Sequence, residues 1–139
     1  MFKKILVAFD GSEHARRAAQ IAGDMARLNK DTELWLVCAM DILPAELGKP
    51  FIDELITERT HIGTEMLQQA KEIIGEKVVI HEEMLFGPPA ESIMNVANGN
   101  NCDLIIMGTR GVGGLKGLLM GSQIQKVISL SDIPVLAVK

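Results

Sequence analysis

Five short apolar runs alternate with longer amphipathic stretches along the chain. The runs are KKILVAF at 3–9, ELWLVCAM at 33–40, Lys77 to Leu85, DLIIMG at 103–108 and PVLAVK at 134–139. Short apolar runs bounded by polar turns are typical of strands buried in a sheet. The third run is the most polar, because it contains His81, Glu82 and Glu83. We therefore expect five strands, with the third at a sheet edge, where charged side chains discourage further pairing.

The stretches between these runs carry apolar residues at helical spacing. Ser12 is a good N-cap for a first helix, whose small apolar residues recur at 15, 18, 19, 22, 25 and 26. Pro50 is expected to open a long second helix, which Gly75 ends and whose apolar stripe is Leu55, Ile62, Met66 and Ile73. A short third helix follows Gly87-Pro88-Pro89 and closes at Gly99. A fourth runs from about Ser122 to Leu130, and Ser122 with Gln125 forms a capping box at its start.

Strands that alternate with helices in this way predict one α/β domain over residues 1–139. The expected fold is an open, doubly wound, five-stranded parallel sheet with helices on both faces. Two strand orders, 3-2-1-4-5 and 2-1-3-4-5, fit the pattern, and the polar third strand favours the first. Open sheets bind ligands at the carboxyl ends of the strands where the order reverses. In the favoured order that point lies between Asp10-Gly11-Ser12 and Gly108-Thr109-Arg110-Gly111.

Composition narrows the classes of partner. A net charge of −4, a single Trp and no Tyr offer neither attraction for polyanions nor a stacking platform, so nucleic acid is not an expected partner. The apolar run at the N-terminus ends at Phe9, too short for a membrane span, and we expect no membrane partner and a cytoplasmic protein. Cys38 and Cys102 form no CxxC and are expected in the core. The scattered histidines do not indicate a metal held by protein ligands alone.

The segment GTRGVGGLKGLLMGS, residues 108–122, holds six of the thirteen glycines. From Leu104 to Ser131 the chain carries the basic residues Arg110, Lys116 and Lys126 and no acidic one. Glycine amides and the N-terminus of the helix near Gly121 can together bind an anion, which predicts a phosphate cradle. The Walker A pattern is absent, and a Rossmann fingerprint would need glycine where Lys116 stands.

The spacing that does fit is Gly108-x-x-Gly111, nine residues, then Gly121-Ser122. This G-2x-G-9x-G-S/T pattern resembles the nucleotide-binding signature of the universal stress protein family. The flanking stretches KKILVAFDGSEHA, GPPAESI, CDLIIMGTRG and IPVLAVK are also similar to that family, in the same order. The resemblance implies ATP with Mg²⁺ as the ligand, a sheet of order 3-2-1-4-5, and a homodimer formed through the C-terminal strands.

The resemblance also implies roles for individual residues. Asp10 would face the ribose and a phosphate-bound Mg²⁺, and Ala39 would contact adenine through its backbone. Gly108 would lie against the ribose, while Gly111, Gly121 and Ser122 would hold phosphates under a loop formed by residues 112–119, which include Val112 and Gly113. We add Arg110 and Lys116 from their charge. The alternatives are that Asp10 only caps a turn, that Ser122 only caps a helix, and that the two basic residues are ordinary solvated charges.

Machinery for rapid phosphoryl transfer is incomplete in this sequence. A P-loop lysine is absent, as are the SGGxDS and HxGH motifs of adenylylating enzymes of this architecture. The sequence therefore favours a nucleotide-binding regulatory protein with at most slow hydrolysis. Two alternatives stay open: a stress-response dimerisation module without nucleotide, and an ATPase of modest turnover.

Overall fold

The computed structural model describes residues 2–40, 48–110 and 121–139. Its helices and strands follow the predicted alternation: β1 Lys4–Ala8, α1 Glu13–Leu28, β2 Glu33–Met40, α2 Lys49–Ile74, β3 Val79–Phe86, α3 Pro89–Gly99, β4 Leu104–Gly108, α4 Ser122–Leu130 and β5 Val135–Val138. The five strands pair in parallel in the order β3-β2-β1-β4-β5. This confirms the predicted order and excludes 2-1-3-4-5.

Strands β1 and β4 occupy the middle of the sheet because both are apolar on both faces. Their register aligns Ile5 with Leu104 and Val7 with Ile106, and all four side chains are buried. Strand β3 lies at one edge of the sheet. On this strand Val79 is 52 % exposed, Glu82 is exposed and Glu83 is half-buried. Polar residues thus occupy the position where one side of the strand remains unpaired.

One hydrophobic cluster lies on each face of the sheet. Helices α1 and α2 cover one face, and α3 and α4 cover the other. The predicted small residues of α1 are buried, apart from the half-buried Met25. Cys38 and Cys102 belong to the two clusters, one on each side, and are free thiols, as predicted.

The apolar stripe predicted for α2 is confirmed only in part. The buried positions are Gly63, Leu67, Ala70 and Ile74. Of the predicted residues, Met66 and Ile73 are half-buried and pack against the core, whereas Leu55 is half-buried and Ile62 is 36 % exposed. One reason is close packing at Gly63: a Cβ there would stand 2.7 Å from Met84 Sδ of β3, so a glycine, and not its apolar neighbour Ile62, is buried. Side-chain hydropathy alone does not predict which residues of α2 are buried.

The predicted start of the first helix and both predicted ends of the second are confirmed. Ser12 caps α1, where its hydroxyl oxygen accepts a hydrogen bond from Ala15 N at 3.1 Å. Helix α2 begins with a proline in its first turn and ends at Gly75, whose φ of 87° favours glycine. The described part of the chain contains no helix long and apolar enough to cross a membrane.

Candidate functional site

A crevice of about 620 Å³ opens over the carboxyl ends of β1, β2 and β4. It lies where the strand order reverses, as expected for an open α/β sheet. All the predicted site residues that the structure describes line it: Asp10, Ala39, Gly108, Arg110, Gly121 and Ser122. The others, Gly111, Val112, Gly113 and Lys116, lie outside the described residues. Residues far apart in sequence therefore meet at one site.

The two walls of the crevice differ in chemistry. The wall on the α3 and α4 side is mostly apolar, with the polar Ser122 and Gln123 at the start of α4, and its apolar residues are Ala8, Val37, Ala39, Pro89, Ile93, Met107 and Ile124. The wall on the α1 and α2 side combines the apolar Phe9, Ile62 and Met66 with the polar Asp10 and Arg59. A mostly apolar wall facing one that carries a carboxylate and a guanidinium group suits an amphipathic ligand, such as a flat ring carrying charged groups.

Asp10 lies immediately beyond β1, where a turn leads into α1. Its Oδ1 accepts a hydrogen bond from Ser12 N at 2.9 Å, and Gly11 between them has a φ of 83°. The carboxylate thus stabilises this turn, which is the structural alternative considered for it. Asp10 also lines the crevice, so the structural role and a ligand role are compatible.

Gly108, the last residue of β4, packs directly on the first turn of α1. A Cβ at this position would stand 2.7 Å from His14 Cβ and 2.8 Å from Ala15 N. Because one of these atoms belongs to the helix backbone, a larger residue would push the strand away from the helix. Close packing against α1 therefore explains why glycine is required at position 108, independently of any ligand.

Thr109 holds the backbone that follows β4 through three hydrogen bonds. Its N–H donates to Val138 O at 2.8 Å, its carbonyl accepts from Gly121 N at 2.5 Å, and its Oγ1 lies 2.8 Å from His14 Nδ1. Thr109 is 9 % exposed. The sequence analysis assigned no role to Thr109 or His14, and nothing in the local pattern marks two residues that are this far apart as neighbours.

The start of α4 differs from the predicted capping box. The N-cap residue is Gly121, no side chain among the described residues caps the helix, and Ser122 is its first residue, so the capping role predicted for Ser122 is wrong. The Gly121 N–H is engaged by Thr109, and the first bond within the helix runs from Gln125 N to Gly121 O. The N–H groups of residues 122–124 precede that bond, and helix geometry leaves them available to an anion.

Gln123 was also missed by the sequence analysis. Its Oε1 is buried and, within the described part of the chain, has no hydrogen-bond partner. Buried amide oxygens without a hydrogen-bond partner are uncommon in folded proteins. Most buried amide oxygens accept a hydrogen bond from the protein, from water or from a ligand. The only sequence signal for it is its place next to Gly121-Ser122.

The crevice holds charges of both signs. Asp10 and Arg110 lie on its lining, and Arg110 is half-buried. Burial, followed by the nearby Asp10 carboxylate, raises the pKa of the Cys38 thiol to about 11, so this thiol is protonated at neutral pH. Across the described ranges, no group of three or more His, Cys, Asp or Glu residues could hold a metal ion.

The fold and the site define an α/β protein with a ligand crevice at the point of strand reversal. This chain belongs to the universal stress protein family, whose family model matches residues 1–139. It is 41 % identical to a universal stress protein encoded in the QAH/OAS sulfhydrylase 3′ region of Thermus aquaticus, with all of both chains covered.

Two solved structures illustrate the similarity. Hypothetical protein MJ0577, from Methanocaldococcus jannaschii, has a TM-score of 0.90 and 31 % identity, over 100 % of this chain and 96 % of that one. A universal stress protein from Archaeoglobus fulgidus in complex with dAMP has a TM-score of 0.71 over 100 % of this chain and 98 % of that one. At 24 % identity, the latter likeness concerns the fold alone.

Proposed function

We propose that this chain binds ATP with Mg²⁺ in the crevice and acts in the cytoplasm as a regulatory or stress-response protein. The observation that carries the proposal is that Asp10 and the first turn of α4 line one crevice beside an apolar wall. A carboxylate suits hydroxyl groups or a metal ion, a helix N-terminus suits phosphate, and an apolar wall suits a base. One nucleotide carries all three chemical groups.

Nucleotide binding by relatives supports this proposal. The A. fulgidus protein is described in complex with dAMP, and another similar structure is a universal stress protein in complex with cAMP. The G-2x-G-9x-G-S/T spacing over Gly108 to Ser122 resembles the nucleotide-binding signature of the family, and that resemblance supports ATP as the ligand.

The residues present fit a metal that arrives with the nucleotide. Asp10 uses Oδ1 for the turn, so its second carboxylate oxygen can face the crevice. In this proposal Mg²⁺ neutralises phosphate charge while the N–H groups of residues 122–124 and Arg110 hold the phosphates. As the family resemblance implies, the backbone of Ala39 contacts adenine in this proposal, Gly108 lies against the ribose, and Gly111 helps to hold the phosphates.

The proposed role is binding with at most slow hydrolysis. The sequence lacks a P-loop lysine, and Asp10 already holds a turn, so the residues do not form an obvious site for activating an attacking water. An ATPase of modest turnover is the second candidate. It is supported if phosphate release survives extensive purification and is abolished by Asp10→Ala.

The test is to denature freshly purified protein and identify the released nucleotide by chromatography. We expect ATP or ADP from the wild type. Asp10→Asn retains an acceptor for Ser12 N but removes the negative charge, so it should fold normally while losing the Mg²⁺ dependence of ATP binding. If the wild type releases no nucleotide and shows no binding when titrated with Mg·ATP, the dimerisation module without nucleotide replaces this proposal.

We also propose a homodimer formed through β5. Its support is that β5 pairs only with β4 among the described strands and that Leu136 on it is 38 % exposed. A strand edge of this kind is suited to pairing with its own copy across a two-fold axis.

A further inference from the structure

A contact between α1 and the backbone after β4 lies at the edge of the crevice. His14 is half-buried in the first turn of α1, and its Nδ1 lies 2.8 Å from the hydroxyl oxygen of Thr109. One of the two atoms donates a hydrogen bond to the other, and which one donates depends on the histidine tautomer. The two residues are 95 positions apart, so the contact exists only in the folded chain.

Thr109 connects the elements around the proposed phosphate site. Its N–H is bonded to the end of β5 and its carbonyl to Gly121, the residue that caps α4. Thr109 is therefore hydrogen-bonded directly to the residue that precedes α4. The amides of residues 122–124, which we propose hold phosphate, follow directly after that residue.

Two further contacts join the same stretch of backbone to α1. Gly108 packs against His14 and Ala15 without room for a side chain, and Ser12 Oγ lies 3.3 Å from Arg110 O. Three consecutive residues, 108 to 110, thus contact the first turn of α1. His14 provides the only side-chain to side-chain hydrogen bond among these contacts within the described residues.

We propose that His14 is a positioning residue for the phosphate half of the crevice, acting through Thr109. The inference rests on the proposed function, since it concerns how that same site is organised. By holding Thr109, His14 fixes the start of α4 before the ligand arrives, so that less ordering accompanies binding. The adenine half of the crevice, beside Ala39 and Val37, does not depend on this contact.

The experiment measures the affinity of the full chain for Mg·ATP and for adenosine by calorimetric titration. The variants are His14→Ala, Thr109→Val, the two combined, and His14→Asn, whose amide places a polar atom near the position of Nδ1. Loss of one neutral hydrogen bond corresponds to about fivefold, so we expect His14→Ala and Thr109→Val each to weaken ATP binding by about that factor. Adenosine binding should stay unchanged, and His14→Asn should restore ATP binding.

The double variant tests whether the two residues act together. If His14 and Thr109 act as one unit, the double variant should weaken ATP binding by the same factor as either single variant. If they act independently, its factor should be the product of the two single factors. Thermal unfolding without nucleotide separates an effect on positioning from an effect on stability. If His14→Ala lowers the unfolding midpoint, the proposal holds only if His14→Asn restores both the midpoint and the affinity for ATP.

The possible outcomes are distinct. Equal ATP affinity in wild type and His14→Ala overturns the role of His14 and leaves the proposed function intact. Equal losses for ATP and adenosine, or losses that multiply in the double variant, also overturn it. A wild type that binds no Mg·ATP overturns the proposed function and this inference together.

Discussion

Gly23 of α1 lies directly against the last residue of α2, Ile74. A Cβ built on Gly23 would stand 2.5 Å from the Ile74 carbonyl oxygen and 3.1 Å from its Cα. The same carbonyl accepts a hydrogen bond from Arg27 Nη1 one turn further along α1. The end of α2 is therefore held on α1 at a point where only a glycine fits.

Gly23→Ala should destabilise the protein. The added methyl group meets backbone atoms, which cannot move without separating the two helices, so we expect a loss of about 1–3 kcal/mol in the free energy of unfolding. Chemical denaturation measures it. The matched control is Gly99→Ala near the end of α3, where nothing lies within 4 Å of the new Cβ, and which should be neutral or slightly stabilising. Equal effects of the two changes would contradict this account.

Gly121→Val should abolish nucleotide retention without unfolding the protein. The backbone of Gly121 has φ −61° and ψ 158°, which any residue can adopt, so the expected effect comes from bulk beside the crevice. Released nucleotide is quantified by chromatography, and Gly121→Ala should give an intermediate loss. Full retention in a folded Gly121→Val protein would count against a phosphate site at this helix start.

The two cysteines should make stability depend on pH in the alkaline range. Burial raises the pKa of Cys38, and likewise of Cys102, from 9.0 to about 11. The folded state therefore holds the thiol protons more tightly than the unfolded state. This contribution is fully present below pH 9 and is lost as the pH rises from about 9 to about 11.

Denaturation curves of wild type and of a Cys38→Ala, Cys102→Ala variant measure this effect. Other groups titrate in the same range, so the quantity of interest is the difference between the two proteins. The wild type should lose more stability between pH 9 and pH 11 than the variant, and identical slopes would show that thiol burial is not the cause.

The proposed dimer should dissociate when a charge is placed on β5. Leu136→Lys introduces a charge at the exposed edge, and sedimentation should show a dimer for the wild type and a monomer for this variant. Leu28→Lys is the matched control, because Leu28 is 83 % exposed at the end of α1 and away from the strand edge. A wild type that remains monomeric at every concentration would rule out this interface.

The sequence by itself determined the alternation of strands and helices and favoured one of two strand orders, which the structure then confirmed. Buried strands such as β2, found at Glu33–Met40 as predicted, are marked by a continuous apolar run that depends on no distant residue. The polar character of β3 was enough to place it at the sheet edge, since charges are poorly tolerated in a central strand. Strand order in turn located the crevice, because ligands of open parallel sheets bind where that order reverses.

Only the tertiary structure decided which groups are already engaged within the fold. The buried face of α2 depends on Met84, the Gly121 N–H is bonded to Thr109, and Ser122 caps nothing. The contact between His14 and Thr109 joins residues 95 positions apart and leaves no periodic signal in the sequence. Periodicity reflects the geometry of one helix or strand, whereas close packing and hydrogen bonds between elements arise only when the sheet brings them together.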